Sequence, residues 1–271
     1  MQPMARHRND GYELRDEGVS SHDMEWFQDE EFWRELYPYM FPAERFAAAG
    51  EQVEQILALA GTDGNKVLDL CCGPGRHAVE FAKRGWEVTG VDGSPFLLDR
   101  ARERGTEAGV NVEWVLEDMR RFRRPRAFDL ACSIFTSFGY FPEEEDDLRV
   151  LQNVKESLRD GGVFVMELIG KEFLARNWKD SIVTDFPDGC LLLQRPQVRE
   201  NWRRIENEWV LVKDGRSRSF RFEHTIYSGR ELKDRLAACG FQDVRLYGGL
   251  EGSMYGLDAR RLVAVARKVN G

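Results

Sequence analysis

The sequence predicts an α/β protein, a parallel sheet with helices on both faces. Three observations carry that expectation. From Lys66 to Ile169, short apolar strand-like runs alternate with amphipathic helical segments. A glycine-rich loop joins the first run to the first helix of that series, in "VLDLCCGPGRH" (67–77). Three acids, Asp69, Asp92 and Asp118, fall at or near the ends of successive runs. Parallel strands need crossover helices of one hand, and such sheets bind ligands beyond the carboxyl ends of their strands.

In chain order, residues 1–22 are polar and charged, expected to be a mobile tail. An aromatic stretch, "MEWFQDEEFWRELYPYMF" (24–41), has plausible helical spacing, and "AERFAAAGEQVEQILALAG" (43–61) reads as a helix stopped by glycine. "KVLDL" is the first strand, "RHAVEFAKRG" a helix closed by Gly85, and "EVTGVD" the second strand. "SPFLLDRARERGTEAG" opens on Ser-Pro, a good helix start. "VEWVLED" and "FDLACSIF" are the third and fourth strands; "EEDDLRVLQNVKESLRDGG" is a helix stopped by two glycines, before the strand "VFVMELI". After Arg176 the rhythm breaks. "CLLLQRPQVR", "WRRIENEWVLVKDG" and "RSRSFRFEHTIY" read as three antiparallel strands, followed by the helix "SGRELKDRLAACGF" and two last strands in 242–268. The expected division is a tail and aromatic helical lid over 1–50 and a main domain over 51–271, with the antiparallel strands inserted at about 186–227.

The 271 residues carry a net charge of −8, against the basic surplus usual for a protein that grips phosphate backbones. No apolar run approaches the ~18–20 residues of a membrane span, and the first ten residues lack a signal-peptide core, so a cytoplasmic location is expected, with no membrane partner. Five cysteines without a Cys-x-x-Cys pair argue against a disulfide framework or a zinc site, and no metal is expected.

Gly73-x-Gly75-x-x-Ala78 fits the dinucleotide pattern, weak alone but here placed between a strand and a helix. Asp92, ending the next strand, can accept from both hydroxyls of an adenosine ribose. A nicotinamide cofactor and S-adenosylmethionine share that plan. Asp69 separates them, since an acid before the loop repels pyrophosphate and suits a cationic methionine end.

Together "VLDLCCGPGRH", "VTGVDGS", "LEDMRRF", "FDLACSIFTSFGYF" and "LRDGGVFVMEL" resemble the successive motifs of class I S-adenosylmethionine-dependent methyltransferases, over roughly residues 50–170. "TSFGYF" and the C-terminal segment resemble a bacterial subgroup that acts on small molecules. The resemblance implies a Rossmann-like seven-stranded sheet with an antiparallel last strand, and S-adenosylmethionine as cofactor. It also implies that Asp69 and Gly73, in the loop with Gly75, hold the methionine end. Asp92, with Gly93 and Ser94, takes the ribose; Asp118 and Met119 hold the adenine; Ser133 passes near the methyl. Cys71 departs from the family's glycine at its position, and is expected to be a small packing residue touching the cofactor through its backbone.

On the acceptor side the candidates are Tyr140, after the fourth strand, and His224, on a strand face with Phe220, Phe222 and Ile226. Tyr255 and Glu251 lie in the loop between the last strands; His77 reads as structural, and "EEEDD" (143–147) as a solvated helix start. Phe32, Trp33 and Tyr37 are the candidate lid residues that would face the sulfonium. The expected activity is transfer of a methyl group to nitrogen or oxygen of a small molecule by in-line displacement, with a homodimer allowed. "CSIFTS" lacks the tetrapeptide of amino-directed base methylases, so no nucleic-acid target is expected. An oxidoreductase and a non-catalytic cofactor-binding protein are the competing classes.

Overall fold

The computed structural model describes residues 25–269; the tail expected over 1–22 and Met24 lie outside the described residues. A 3-10 turn at Trp26–Gln28 leads into α1 (Glu30–Met40), α2 (Ala43–Ala47) and α3 (Ala49–Ala60). Then come β1 (Lys66–Leu70), α4 (Arg76–Lys83), β2 (Glu87–Asp92), α5 (Pro95–Glu107), β3 (Glu113–Leu116), β4 (Phe128–Ser133), α6 (Glu144–Ser157) and β5 (Leu158–Leu168). After α7 (Lys171–Arg176) follow β6 (Ile182–Asp185), β7 (Leu191–Arg199), β8 (Arg204–Lys213) and β9 (Arg216–Thr225), and the chain closes with α8 (Gly229–Ala238), β10 (Gln242–Tyr247) and β11 (Leu262–Arg267).

Seven strands form one sheet in the order β10-β11-β5-β4-β1-β2-β3. β1 to β5 pair in parallel, and β11 runs antiparallel between β5 and β10. The central strands are buried on both faces, β4 along its whole length, as helices on both sides demand. One face packs Leu68, Phe164 and Met166 beneath α6 and α8; the other packs Val67, Leu130 and Val165 against α3 and α4. Local signals set the helix ends: Ser94 caps α5, its Oγ accepting from Leu97 N, and Gly61 ends α3 in the left-handed region.

Three expectations need correction. The helix over 144–162 stops at Ser157, because Leu158 is extended, fully buried and paired with Phe128, so Gly161 and Gly162 fall inside β5, where the register against β4 shifts. The acidic start of α6 is not a solvated run: Asp147 is fully buried and accepts from the Tyr227 hydroxyl, while Glu144 pairs with Arg203 and Arg235. The inserted antiparallel strands number four, not three, because β6 adds itself to the edge of β7 in the order β6-β7-β8-β9.

The inserted sheet packs Leu192, Leu211 and Phe220 against Phe32, Trp33 and Leu36 of α1, with Leu97 of α5 joining the cluster. It is pinned to the loop after β4. Thr225 N donates to Gly139 O at 2.7 Å, and Arg204 Nη1 donates to Phe141 O at 3.0 Å. Gly139 has φ +91°, and a Cβ there would lie 2.5 Å from Thr225 O, so only glycine permits the approach. Among the described residues no helix is long and apolar enough to cross a membrane.

Candidate functional site

A cavity of about 280 Å³ opens at the carboxyl ends of β1, β2, β3 and β4, roofed by the 3-10 turn and α1. Its floor comes from the strand ends and the turns that follow them.

Asp69, next to last in β1, is wedged between Gly90 of β2 and Cys132 of β4. It is 2 % exposed and lines the cavity. Cys132 Sγ lies 3.6 Å from its Oδ1, whereas Oδ2 has no hydrogen-bond partner among the described residues. Burial pushes this carboxyl up to about 7. A buried carboxylate oxygen without a partner is costly alone and favours a cationic ligand.

The glycine loop then turns sharply. Cys71 has φ +59°, a left-handed conformation in which glycine is unstrained. Its Sγ lies 3.8 Å from Met119 Sδ, and both residues line the cavity. Burial, and the carboxylates Asp92, Asp69 and Asp118, push the Cys71 thiol well up, so it is no thiolate nucleophile. All five cysteines are free thiols. Gly73 lines the cavity and donates its N–H to Asp92 Oδ2 at 2.8 Å. Gly75 does not reach the cavity. It is the left-handed residue before α4, and a Cβ there would meet the Trp114 ring at 2.8 Å, so its smallness serves helix–sheet packing.

Asp92 Oδ1 accepts from Ser94 N at 2.9 Å, so backbone N–H groups fix both carboxylate oxygens and leave each a further lone pair. Burial raises this carboxyl to about 6. Gly93 and Ser94 line the cavity beside it. Ser94 Oγ also donates to Glu30 Oε1 at 2.7 Å, and Phe96 N donates to Glu30 Oε2 at 2.9 Å. Glu30 therefore ties the first turn of α1 to the start of α5, a link that no spacing in the sequence announced. At the end of β3, Asp118 and Met119 line the cavity. Burial alone would raise the Asp118 carboxyl, but Arg120, with Nη2 2.6 Å away, outweighs it and holds the group below its ordinary value. Arg120 also grips Glu25 at 2.6 Å and lies 4.3 Å over the Phe141 ring. No local pattern along the chain announces this clamp.

Ser133 ends β4 and is buried off the cavity; Ile134, Phe135, Ser137 and Tyr140 line it instead, because the chain turns only after Ser133. The Tyr140 ring stands 4.7 Å from Trp26, and burial raises its phenol. His224 lies in a second layer, its ring 6.4 Å from Tyr140 and stacked on Phe222 at 6.5 Å, and burial lowers it to about 4. His77 lines the cavity, bonded through Nε2 to Gln52 Oε1 at 2.9 Å; burial lowers it to about 3, so it stays neutral.

In the roof, Trp33, Phe27, Met40 and Phe41 line the cavity, and Trp33 Nε1 donates to Phe27 O at 2.8 Å. Phe32 does not face it. It is 3 % exposed and turned into the inserted sheet, 5.4 Å from Phe220 and 5.6 Å from Phe222. Tyr37 packs on Phe41 and Phe96, away from the cavity. Tyr255 donates to Glu172 Oε2 at 2.6 Å against Gly229 and also lies off it, while Glu251 is exposed and bonded to Ser253. The described residues hold no cluster of three metal-binding side chains.

The profile of the family described as "Methyltransferase domain" matches residues 67–162. The chain is 27% identical over 219 residues to the dTDP-3-amino-3,4,6-trideoxy-alpha-D-glucopyranose N,N-dimethyltransferase of Streptomyces venezuelae, covering 79% of this chain and 91% of that one. The CcbJ methyltransferase of Streptomyces caelestis superposes with a TM-score of 0.73 at 20% identity, over 82% of this chain and 95% of that chain. The SAM-bound amino pentose methyltransferase CalS10 of Micromonospora echinaspora gives 0.64 at 23% identity, over 92% and 100%. At these identities the two structures establish the shared fold.

Proposed function

This chain is a class I S-adenosylmethionine-dependent methyltransferase, and we propose that its acceptor is an amine on a small polar molecule. When bound, the cofactor supplies an electrophilic methyl group for in-line displacement. The residues present fit it. Asp69, with one oxygen unpartnered, takes the ammonium of the methionine end; Gly73 and Cys71 approach through backbone. Asp92, held open by two N–H groups, takes the ribose hydroxyls, with Gly93 and Ser94 beside it. Asp118 accepts from the adenine amino group and Met119 covers the ring. Trp33 and Phe27 roof the cavity, excluding water and offering aromatic faces to a cation.

The observation that favours nitrogen is the lack of a free base among the described lining residues. Burial keeps the Tyr140 phenol protonated and lowers His77 to about 3, Glu117 and Asp118 pair with Arg121 and Arg120, and the cofactor claims Asp69 and Asp92. A hydroxyl acceptor needs a proton acceptor; an amine, once neutral, does not. Desolvation among Phe27, Phe135 and Tyr140 favours the neutral amine. Tyr140 and Ser137 orient it by hydrogen bonds, with His224 behind Tyr140 as a positioning residue. The aminosugar N,N-dimethyltransferase among the relatives supports an amine acceptor. The test is a release assay for S-adenosylhomocysteine with matched acceptors that differ only in amino or hydroxyl group. Turnover of the amine alone is expected; turnover of the hydroxyl compound alone would sink the reading.

A further inference from the structure

Asp118 reaches the cavity with its carboxylate already engaged. Arg120 donates to Oδ1 from its backbone N at 2.7 Å and its Nε at 3.1 Å, and to Oδ2 from Nε at 3.0 Å and Nη2 at 2.6 Å. A carboxylate offers about four lone-pair sites, so this one neighbour occupies them all. A ligand N–H gains an Asp118 oxygen only as an Arg120 N–H yields it.

The rest of the guanidinium is turned to other elements. Nη1 donates to Glu25 Oε1 at 3.0 Å and Nη2 to Glu25 Oε2 at 2.6 Å, while Nη1 also donates to Asp146 Oδ2 of α6 at 3.3 Å. One cation thus faces three carboxylates. Burial alone would lower this guanidinium, but Asp118 and Glu25 outweigh it and hold the group well above its ordinary value. Glu25 starts the roof: Gln28 N donates to its carbonyl at 2.8 Å, and Phe27 and Gln28 line the cavity. Glu25 and Arg120 themselves stand outside the cavity lining.

We propose that Arg120 is a positioning residue that couples recognition of the purine amino group at Asp118 to the seating of the roof turn through Glu25. The proposal rests on the methyltransferase reading, with Asp118 as the adenine acceptor. As the amino group takes an Asp118 oxygen, Arg120 gives up part of its grip there and keeps Glu25 and Asp146, so the roof turn is drawn in. The coupling is reciprocal: the pair with Glu25 frees Asp118 for the amino group. Arginine suits the task because its planar fork reaches two carboxylates at once, which the point charge of lysine does not. The roof then closes more tightly over an adenosyl ligand than over an empty cavity, and water is excluded when the cofactor is in place.

Calorimetry on the full chain tests this with S-adenosylhomocysteine and its 6-deamino analogue, in which hydrogen replaces the purine amino group. The wild type is expected to prefer the amino ligand roughly tenfold or more. Glu25→Gln, at a partly exposed side chain outside the cavity lining, should shrink that preference about fivefold. A clamp that only braces the fold weakens both ligands alike, so an unchanged ratio overturns the coupling. In an Arg120→Lys background Glu25→Gln should leave the ratio where Arg120→Lys alone puts it; a further drop overturns the route through Arg120. A second measurement needs no variant. With the wild type saturated by each ligand in turn, proteolysis within 25–29 should be slower under S-adenosylhomocysteine, and equal rates overturn the proposal. No preference in the wild type removes Asp118 from the adenine and the coupling with it, while binding of both ligands leaves the cofactor reading standing. If neither binds, that reading falls and takes the coupling with it.

Discussion

Between Asp69 and Ser94 the floor of the cavity is made by one strand–loop–helix–strand passage whose two ends hold each other: Gly73 N and Ser94 N both donate to Asp92. The roof is assembled otherwise. Trp26 touches Tyr140 at 4.7 Å and Phe222 at 4.9 Å, rings far apart in sequence brought together only by the tertiary fold. The floor is set by backbone geometry and the roof by packing, so the two should fail in different ways.

The widest separation is expected from Phe32→Ala. Truncating a buried phenylalanine costs about 3–5 kcal/mol, from lost burial and the cavity left behind. Because Phe32 faces Phe220 and Phe222 rather than the cofactor cavity, denaturant unfolding should show that loss, with 5′-methylthioadenosine affinity little changed in the folded fraction. A variant of wild-type stability would mean that the roof is not held by this cluster.

Asp92→Ala should do the reverse. With Asp92 in the proposed role of ribose acceptor, removing its carboxylate is expected to cost about 1.5–3 kcal/mol of S-adenosylhomocysteine binding. Titration calorimetry checks it, and unaltered affinity in a folded variant removes the ribose assignment.

Within the floor, Asp69 should confer a pH dependence. Burial raises its carboxyl to about 7, and only the ionised form holds an ammonium. Affinity for S-adenosylhomocysteine is therefore expected to fall as pH drops below about 7, by up to about tenfold per unit, and Asp69→Asn should flatten the profile. In the free protein the sign is opposite: the folded state favours the protonated acid, so its contribution to stability declines as pH rises from about 4 to 7. A wild-type profile flat from pH 5.5 to 7.5 contradicts the assignment.

The smallest effect is expected at Cys71→Gly. Glycine relieves the left-handed strain but loosens the unfolded chain, so stability should change by no more than about 1 kcal/mol. Methyl transfer should persist; its complete loss would restore the thiol to a chemical role.

The same contrast explains what could be read from the sequence. The α/β order, the glycine loop and the lining positions of Asp69, Asp92 and Asp118 were legible because strand, turn and helix residues dictate them locally. For the aromatics of α1, helical spacing marks rings but not their neighbours; Trp33 meets the cavity while Phe32 and Tyr37 turn away. Glu30 and Arg120 act through partners from distant segments, Ser94 and Glu25, and long-range pairing of charges leaves no local pattern. β6 is not legible in the sequence, because four residues beside a turn give too short a period to mark a strand.

The pins between Gly139 and Thr225, and between Phe141 and Arg204, flank Tyr140 on both sides. Every strand of the inserted sheet pairs only within that sheet, and every strand of the larger sheet only within its own. The insert is thus a sheet of its own, hydrogen-bonded to the loop on both sides of Tyr140 and packed on α1 and α5 through Leu192, Leu211 and Phe220. A change in β7 to β9 therefore reaches the cavity by two routes, through the loop that carries Tyr140 and through the roof helix α1, while the strand-end acids Asp69 and Asp92 stand on a sheet it does not pair with.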